Sequence, residues 1–156
     1  MAAPGAFTLF RANLDDIKLY ELHGSANLRF ALVSSTYTPD ATNTGNANWA
    51  AVSANEIAAG NGYTAGGVAL SAVAVSTVTD GFKLASGNPS WTATGGNIPA
   101  WRYAVMYYVG TISGIVNPLI GYFLGDSAPA DVPATLMGNP LTLNCPAGGW
   151  YDITQA

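Results

Sequence analysis

Charge is what this chain has least of. Asp, Glu, Lys and Arg together make up 9% of its 156 residues, against about 25% in an average soluble domain. The five basic residues, Arg11, Lys18, Arg29, Lys83 and Arg102, never cluster. That excludes a phosphate-tracking nucleic-acid surface and a polybasic membrane anchor. Cysteine and histidine are down to one each, Cys145 and His23. A single cysteine makes no intrachain disulfide, and the pair falls short of the ligands a zinc site needs. The nine carboxylates are scattered apart from Asp15-Asp16, and no calcium loop of alternating acids occurs. There is no Gly-Lys-Ser/Thr phosphate cradle and no Gly-x-Ser-x-Gly elbow. Nothing calls for a metal or a cofactor. The opening Met1-Ala-Ala-Pro-Gly-Ala-Phe has neither the basic nor the apolar region of a signal peptide. Residues 103–125 are uncharged and long enough to span a bilayer, but Gly110, Gly114, Asn117-Pro118 and Gly121 interrupt them. That spacing predicts strand, turn, strand rather than a membrane helix.

What is present is apolar, small and turn-rich. Hydrophobic residues reach 49%, enough for a sizeable core in one domain. Leu28, Phe30 and Leu32 alternate with Arg29, Ala31 and Val33, the period of a strand. Residues 35–48 are polar and turn-forming and predict a long exposed loop. Ala-rich residues 49–60 allow a short helix. The four glycines of residues 60–67 predict a turn or bulge, since a strand-like run and no helix follows. Residues 68–79 read as a strand ended by a hairpin at Asp80-Gly81, with 82–85 as the return. Further strands are predicted at 90–94, 98–110, 119–124, 136–143 and 150–153. Within 98–110, both alternating faces are apolar, which predicts a central strand covered on both sides. Residues 7–22 fit helical and strand spacing equally. The reading is an all-β chain: an antiparallel β-sandwich or partly closed barrel over 27–156, with long Gly/Asn-rich loops and at most one or two short helices. Residues 1–26 form either a docking arm or a first strand or helix.

Three stretches carry a resemblance. They are Ala31-Leu-Val-Ser-Ser-Thr-Tyr37-Thr-Pro-Asp40; Asn55-Glu56 followed by Gly62-Tyr63-Thr64-Ala-Gly66-Gly67 and Leu70; and Ala100-Trp-Arg102-Tyr-Ala104-Val-Met-Tyr107 with Pro118-Leu-Ile-Gly-Tyr122. Their order and spacing resemble a group of small virion-associated structural proteins of tailed bacteriophages, over roughly residues 28–150. Trp101-Arg102 stands where that group usually has Ala-Arg, and 111–116 is apolar rather than acidic. The resemblance implies a non-enzymatic particle part, made in the host bacterial cytoplasm and carried in the virion. The leading expectation is a capsid decoration or cement protein. Its partner is then the major capsid protein, and a homo-oligomer is expected, with a trimer favoured. The alternative is a tail or fibre component binding a host glycan.

The residues themselves suggest the following roles. With four Trp, eight Tyr and five Phe, aromatic anchors are plentiful. Trp91, Trp101, Tyr103 and Tyr107 lie in predicted strands and read as core. Trp49 and Trp150 flank Gly/Asn-rich segments and are candidate interface or sugar contacts, Trp49 with Asn46 and Asn48. Tyr37 and Tyr63, in conspicuous loops, are further candidates; a buried ring with a satisfied hydroxyl is the competing reading for each. Glu56 and Arg102, near-lone charges in apolar surroundings, suggest a structural ion pair. Glu56 has no second acid at a defined spacing for catalysis. His23 has nothing to orient it towards Ser25 or Ser34, Asp15-Asp16 reads as solvated, and Cys145 reads as a small apolar filler. The shortage of charge itself predicts surface hidden in an oligomer or a lattice.

Overall fold

The structure, a computed structural model, describes residues 4–10, 27–42, 45–128 and 130–154. It is all-β and antiparallel, with no closed barrel. The strands are β1 (Thr8–Leu9), β2 (Leu28–Val33), β3 (Val68–Ala69), β4 (Ala74–Val78), β5 (Gly81–Ala85), β6 (Ser90–Thr92), β7 (Tyr103–Tyr108), β8 (Thr111–Ile112), β9 (Ile115–Val116), β10 (Leu119–Leu124), β11 (Pro140–Thr142) and β12 (Tyr151–Thr154). A five-stranded sheet runs β1-β10-β7-β2-β3. Around it lie a three-stranded sheet, β12-β5-β4, and the pairs β11-β6 and β8-β9.

The alternation read in β2 and β7 sorts the core into two layers. Leu28, Phe30, Leu32, Ala104 and Met106 face one way and pack with Leu84, Trp91, Trp101, Trp150 and Tyr151. Ala31, Val33, Val105 and Tyr107 face the other way, under Phe10, Tyr37 and Val52. The big sheet is therefore covered on both sides, as the two apolar faces of residues 103–108 require. Phe30 is fully buried, and its ring meets Trp150 at 4.7 Å and Phe123 at 5.6 Å, both edge-on. Burial of one such ring stabilises the fold by about 1.5–3 kcal/mol.

The N-terminal segment supplies a strand. Gly5 N–H donates to Leu124 O at 2.8 Å and Phe10 N–H to Ile120 O at 3.1 Å, and Phe10 is fully buried. Residues 4–10 thus dock on their own sheet; the rest of the ambiguous stretch, 11–26, lies outside the described residues.

Several boundaries move. The long strand expected over 68–79 is two strands in different sheets, β3 against β2 and β4 against β5. Ala72, at φ +49°, turns the chain between them. The hairpin turn is Thr79-Asp80, with Gly81 opening the return strand. Residues 98–102 make only single bridges, Ile98 with Thr135 and Trp101 with Val132, so the central strand begins at Tyr103. The short helix over 49–60 is two 3-10 turns, Trp49–Ala51 and Ser53–Asn55. No described helix is long and apolar enough to cross a membrane. Residues 103–124 are strands and turns, as their glycines and Asn117-Pro118 predicted.

Candidate functional site: the glycine-rich loop and an aromatic cleft

Part of the resemblance pattern, Glu56, Tyr63, Gly66, Gly67 and Tyr107, meets at one place, the loop of residues 60–67 lying over β2 and β7. Glu56 bridges to Val33 at the end of β2. Its Oε1 accepts from the Tyr63 hydroxyl at 2.7 Å and from Gly66 N–H at 2.7 Å. The Tyr63 hydroxyl in turn accepts from Leu32 N–H at 2.9 Å. Tyr107 donates its hydroxyl to Gly66 O at 2.7 Å, and Arg29 Nη1 reaches Gly67 O at 3.4 Å. Gly67 has φ +72°, and a Cβ there would collide with the Phe30 carbonyl oxygen. Only glycine permits that approach to β2. Burial pushes the Tyr63 and Tyr107 phenols above their ordinary range; both stay protonated donors at neutral pH.

One oxygen of this carboxylate, Oε1, is taken by two donors of its own chain, and among the described residues no hydrogen bond joins it to a second acid. The expected Glu56–Arg102 pair is not formed: Arg102 Nε lies 2.8 Å from Asp131 Oδ1, with side chains 27% and 42% exposed. The Arg102 N–H donates to Val33 O at 2.8 Å, just ahead of β7, and its side chain lies partly exposed beside Asp131. Loop position decided the pairing, and spacing in sequence carries no record of it.

The aromatic candidates are also redistributed. Tyr37 is 4% exposed and Tyr63 2% exposed, so neither is a surface contact. The Tyr37 hydroxyl donates to Asn46 Oδ1 at 2.9 Å, and burial raises its phenol above the ordinary range. Trp150 is 5% exposed; it stacks on Phe123 at 6.0 Å and donates Nε1 to Ser86 Oγ at 2.8 Å. An indole so enclosed offers no sugar platform. Trp49 is half-buried, with one ring face stacked on Tyr107 at 4.6 Å and 7°. Its expected neighbours are occupied: Asn46 holds Tyr37, and Asn48 Oδ1 accepts from Ala51 N–H at 3.2 Å as a cap. Trp91, Trp101 and Tyr107 are core, as predicted, and Tyr103 is half-buried.

Sequence reasoning missed a cleft. A space of about 560 Å³ opens between the N-terminal segment and the loop after β11, lined by Phe7, Trp101, Phe123, Leu143, Asn144 and Trp150 among others. It adjoins a second hollow flanked by Phe7 and Tyr151. Its walls come from residues far apart in sequence, so no local motif signals it. It holds no titratable pair. Among the described residues no group of three His, Cys, Asp or Glu side chains is placed to hold a metal. Asp15, Asp16, His23 and Ser25 lie outside the described residues. Cys145 is free and half-buried.

No protein-family model, curated protein or solved structure matches this chain.

Proposed function

We propose that this chain is a non-enzymatic structural part of a tailed-bacteriophage particle, a decoration or cement protein bound to the head through the major capsid protein. The observation that carries the reading is the closed set of bonds around Glu56. Glu56, Tyr63, Gly66 and Tyr107 bond one another and fix backbone, where an active site would leave a titratable group facing a pocket. Low charge supports the same reading, as do exposed Phe82, Val116, Leu136, Met137 and Ile153, which are surface suited to contact with other protein. The glycan-binding alternative loses support, because Trp150 is enclosed and Trp49 has one ring face covered.

The test is mass spectrometry of purified particles from the phage encoding the chain, with head and tail fractions separated. The expected result is co-purification with heads at a fixed ratio to the major capsid protein. Absence from particles overturns the reading, and recovery only with tails overturns the head assignment.

A further inference from the structure

Edges of β-sheets carry unpaired backbone groups, and most edges here are blunted. β1, β3, β8 and β9 are two residues long, β6 and β11 three, and β12 carries Asp152. β4 is different. It has five residues, Ala-Val-Ser-Thr-Val, in an uncharged, proline-free run extending from Val68 to Thr79. None of the usual protective devices is present: no lysine, no proline, no inward charge.

The ladder shows which groups are free. Ala74, Ser76 and Val78 pair with Ala85, Lys83 and Gly81 across a two-residue turn; in such a hairpin these are the hydrogen-bonded pairs. Leu84 gives its carbonyl to Trp150 N–H at 2.8 Å on the opposite side, which fixes the same alternation. The N–H and C=O of Val75 and Thr77 thus point away from β5, towards a side where no described strand lies.

We propose that β4 is a homotypic docking edge, two copies pairing β4 against β4 antiparallel about a two-fold axis at Ser76. Ala74 then faces the second copy's Val78, Val75 its Thr77, and Ser76 its Ser76. This is the register that overlaps all five residues and gives each outward N–H and C=O a partner. A second copy is the occupant because the strand is self-complementary there: no charge meets a like charge across the axis. The apolar row also continues. On one face Ile153, Phe82 and Thr77 stand in line, with Phe82 50% and Ile153 45% exposed. Across the axis this row meets the second copy's half-buried Val75, beyond which Leu84 and Tyr151 lie in that copy's own core. A five-residue edge falls short of the roughly 1,200 Å² of a stable interface. Pairing is therefore concentration-dependent and strongest where copies are crowded. The inference does not depend on the particle reading.

The test is sedimentation of the full chain from micromolar to millimolar concentration. The expected result is a reversible monomer–dimer equilibrium. Thr77→Pro removes an outward N–H and spares the β4–β5 bonds; it should weaken dimerisation at least tenfold and leave the thermal melt in place. In a Cys145→Ser background, Ser76→Cys should form a covalent dimer on mild oxidation, since facing residues of a non-hydrogen-bonded pair lie within disulfide reach. Thr111→Cys, on another strand, should not. A chain that stays monomeric at every concentration and does not cross-link through Ser76 overturns the proposal and leaves the edge to an extended segment of another protein. Association that survives Thr77→Pro, a trimer included, overturns it as well.

Discussion

Removing one oxygen atom should cost this fold more than most whole-side-chain changes at its surface. In Tyr63→Phe the ring remains in place, 2% exposed and 5.7 Å from Trp91. What disappears is a hydroxyl that donates to Glu56 Oε1 at 2.7 Å and accepts from Leu32 N–H at 2.9 Å. Leu32 is fully buried, so water does not take over its N–H, and an orphaned buried donor costs about 1–3 kcal/mol. The lost bond to the carboxylate adds about 1.5 kcal/mol. The expected loss is about 2.5–4.5 kcal/mol, or roughly 5–18 °C in Tm for a chain of this length. Urea and thermal unfolding measure it. Tyr108→Phe serves as the control, because that hydroxyl accepts only a long bond of 3.4 Å from Asn27; it should lose under about 1 kcal/mol. Glu56→Gln keeps an acceptor oxygen and should retain most of the stability that Tyr63→Phe loses. A Tyr63→Phe protein within about 0.5 kcal/mol of the parent would refute the account of the loop as a bonded clamp.

Two further outcomes follow from the same core. Burial, the leading cause in each case, raises the phenols of Tyr37, Tyr63, Tyr107, Tyr122 and Tyr151 above the ordinary 10.0. Above pH 10 the unfolded chain releases protons that the folded chain keeps. Stability is therefore whole below that pH and falls above it, by up to about 1.4 kcal/mol per pH unit for each phenol. Phenolate absorbance should show Tyr37, Tyr63 and Tyr151, the most strongly raised, titrating together with unfolding; ordinary titration of these three in the folded protein would contradict the burial. Gly67→Ala places a methyl against the Phe30 carbonyl at a left-handed φ and should cost several kcal/mol, on the order of 3 or more. Circular dichroism during heating reads it, and an unchanged melt would mean the loop does not sit so close to β2.

Legibility in the sequence tracked distance along the chain. β10 was readable to the residue and β2, expected over 27–34, to within one residue at each end, because Leu28-Arg-Phe-Ala-Leu-Val and Leu119 to Leu124 are apolar runs bounded by turn residues. The doubly covered β7 was readable from its two apolar faces, which became the two core layers. The split of residues 68–79 was not, because Ala72 has no turn signature: its φ of +49° is imposed by a crossing between sheets. Glu56 reads correctly as a charge needing a partner, but its partners are neutral donors, the Tyr63 hydroxyl seven residues away and the Gly66 amide, which carry no charge signal in the sequence. Trp150 looked loop-borne by its Gly neighbours. Its burial depends on Phe30 and Phe123, which no local pattern connects to it. The cleft behind Phe7 was invisible for the same reason.

The order in which the central strands leave the ribosome has a consequence for how the protein is made. β2 ends at Val33, and its long partner β7 begins at Tyr103. At about 5–20 residues per second, the 69 residues between them take roughly 4–14 s to synthesise. In that interval β2 has only the two-residue β3 to pair with, and the loop of residues 60–67 has Glu56 and Tyr63 but not yet Tyr107. Assembly of the core therefore waits on the second half of the chain. A translation pause between Val33 and Tyr103 would lengthen the exposure of both faces of β2, whereas a pause after Leu124 would find β10, β7 and β2 able to pair and Phe30 still short of Trp150.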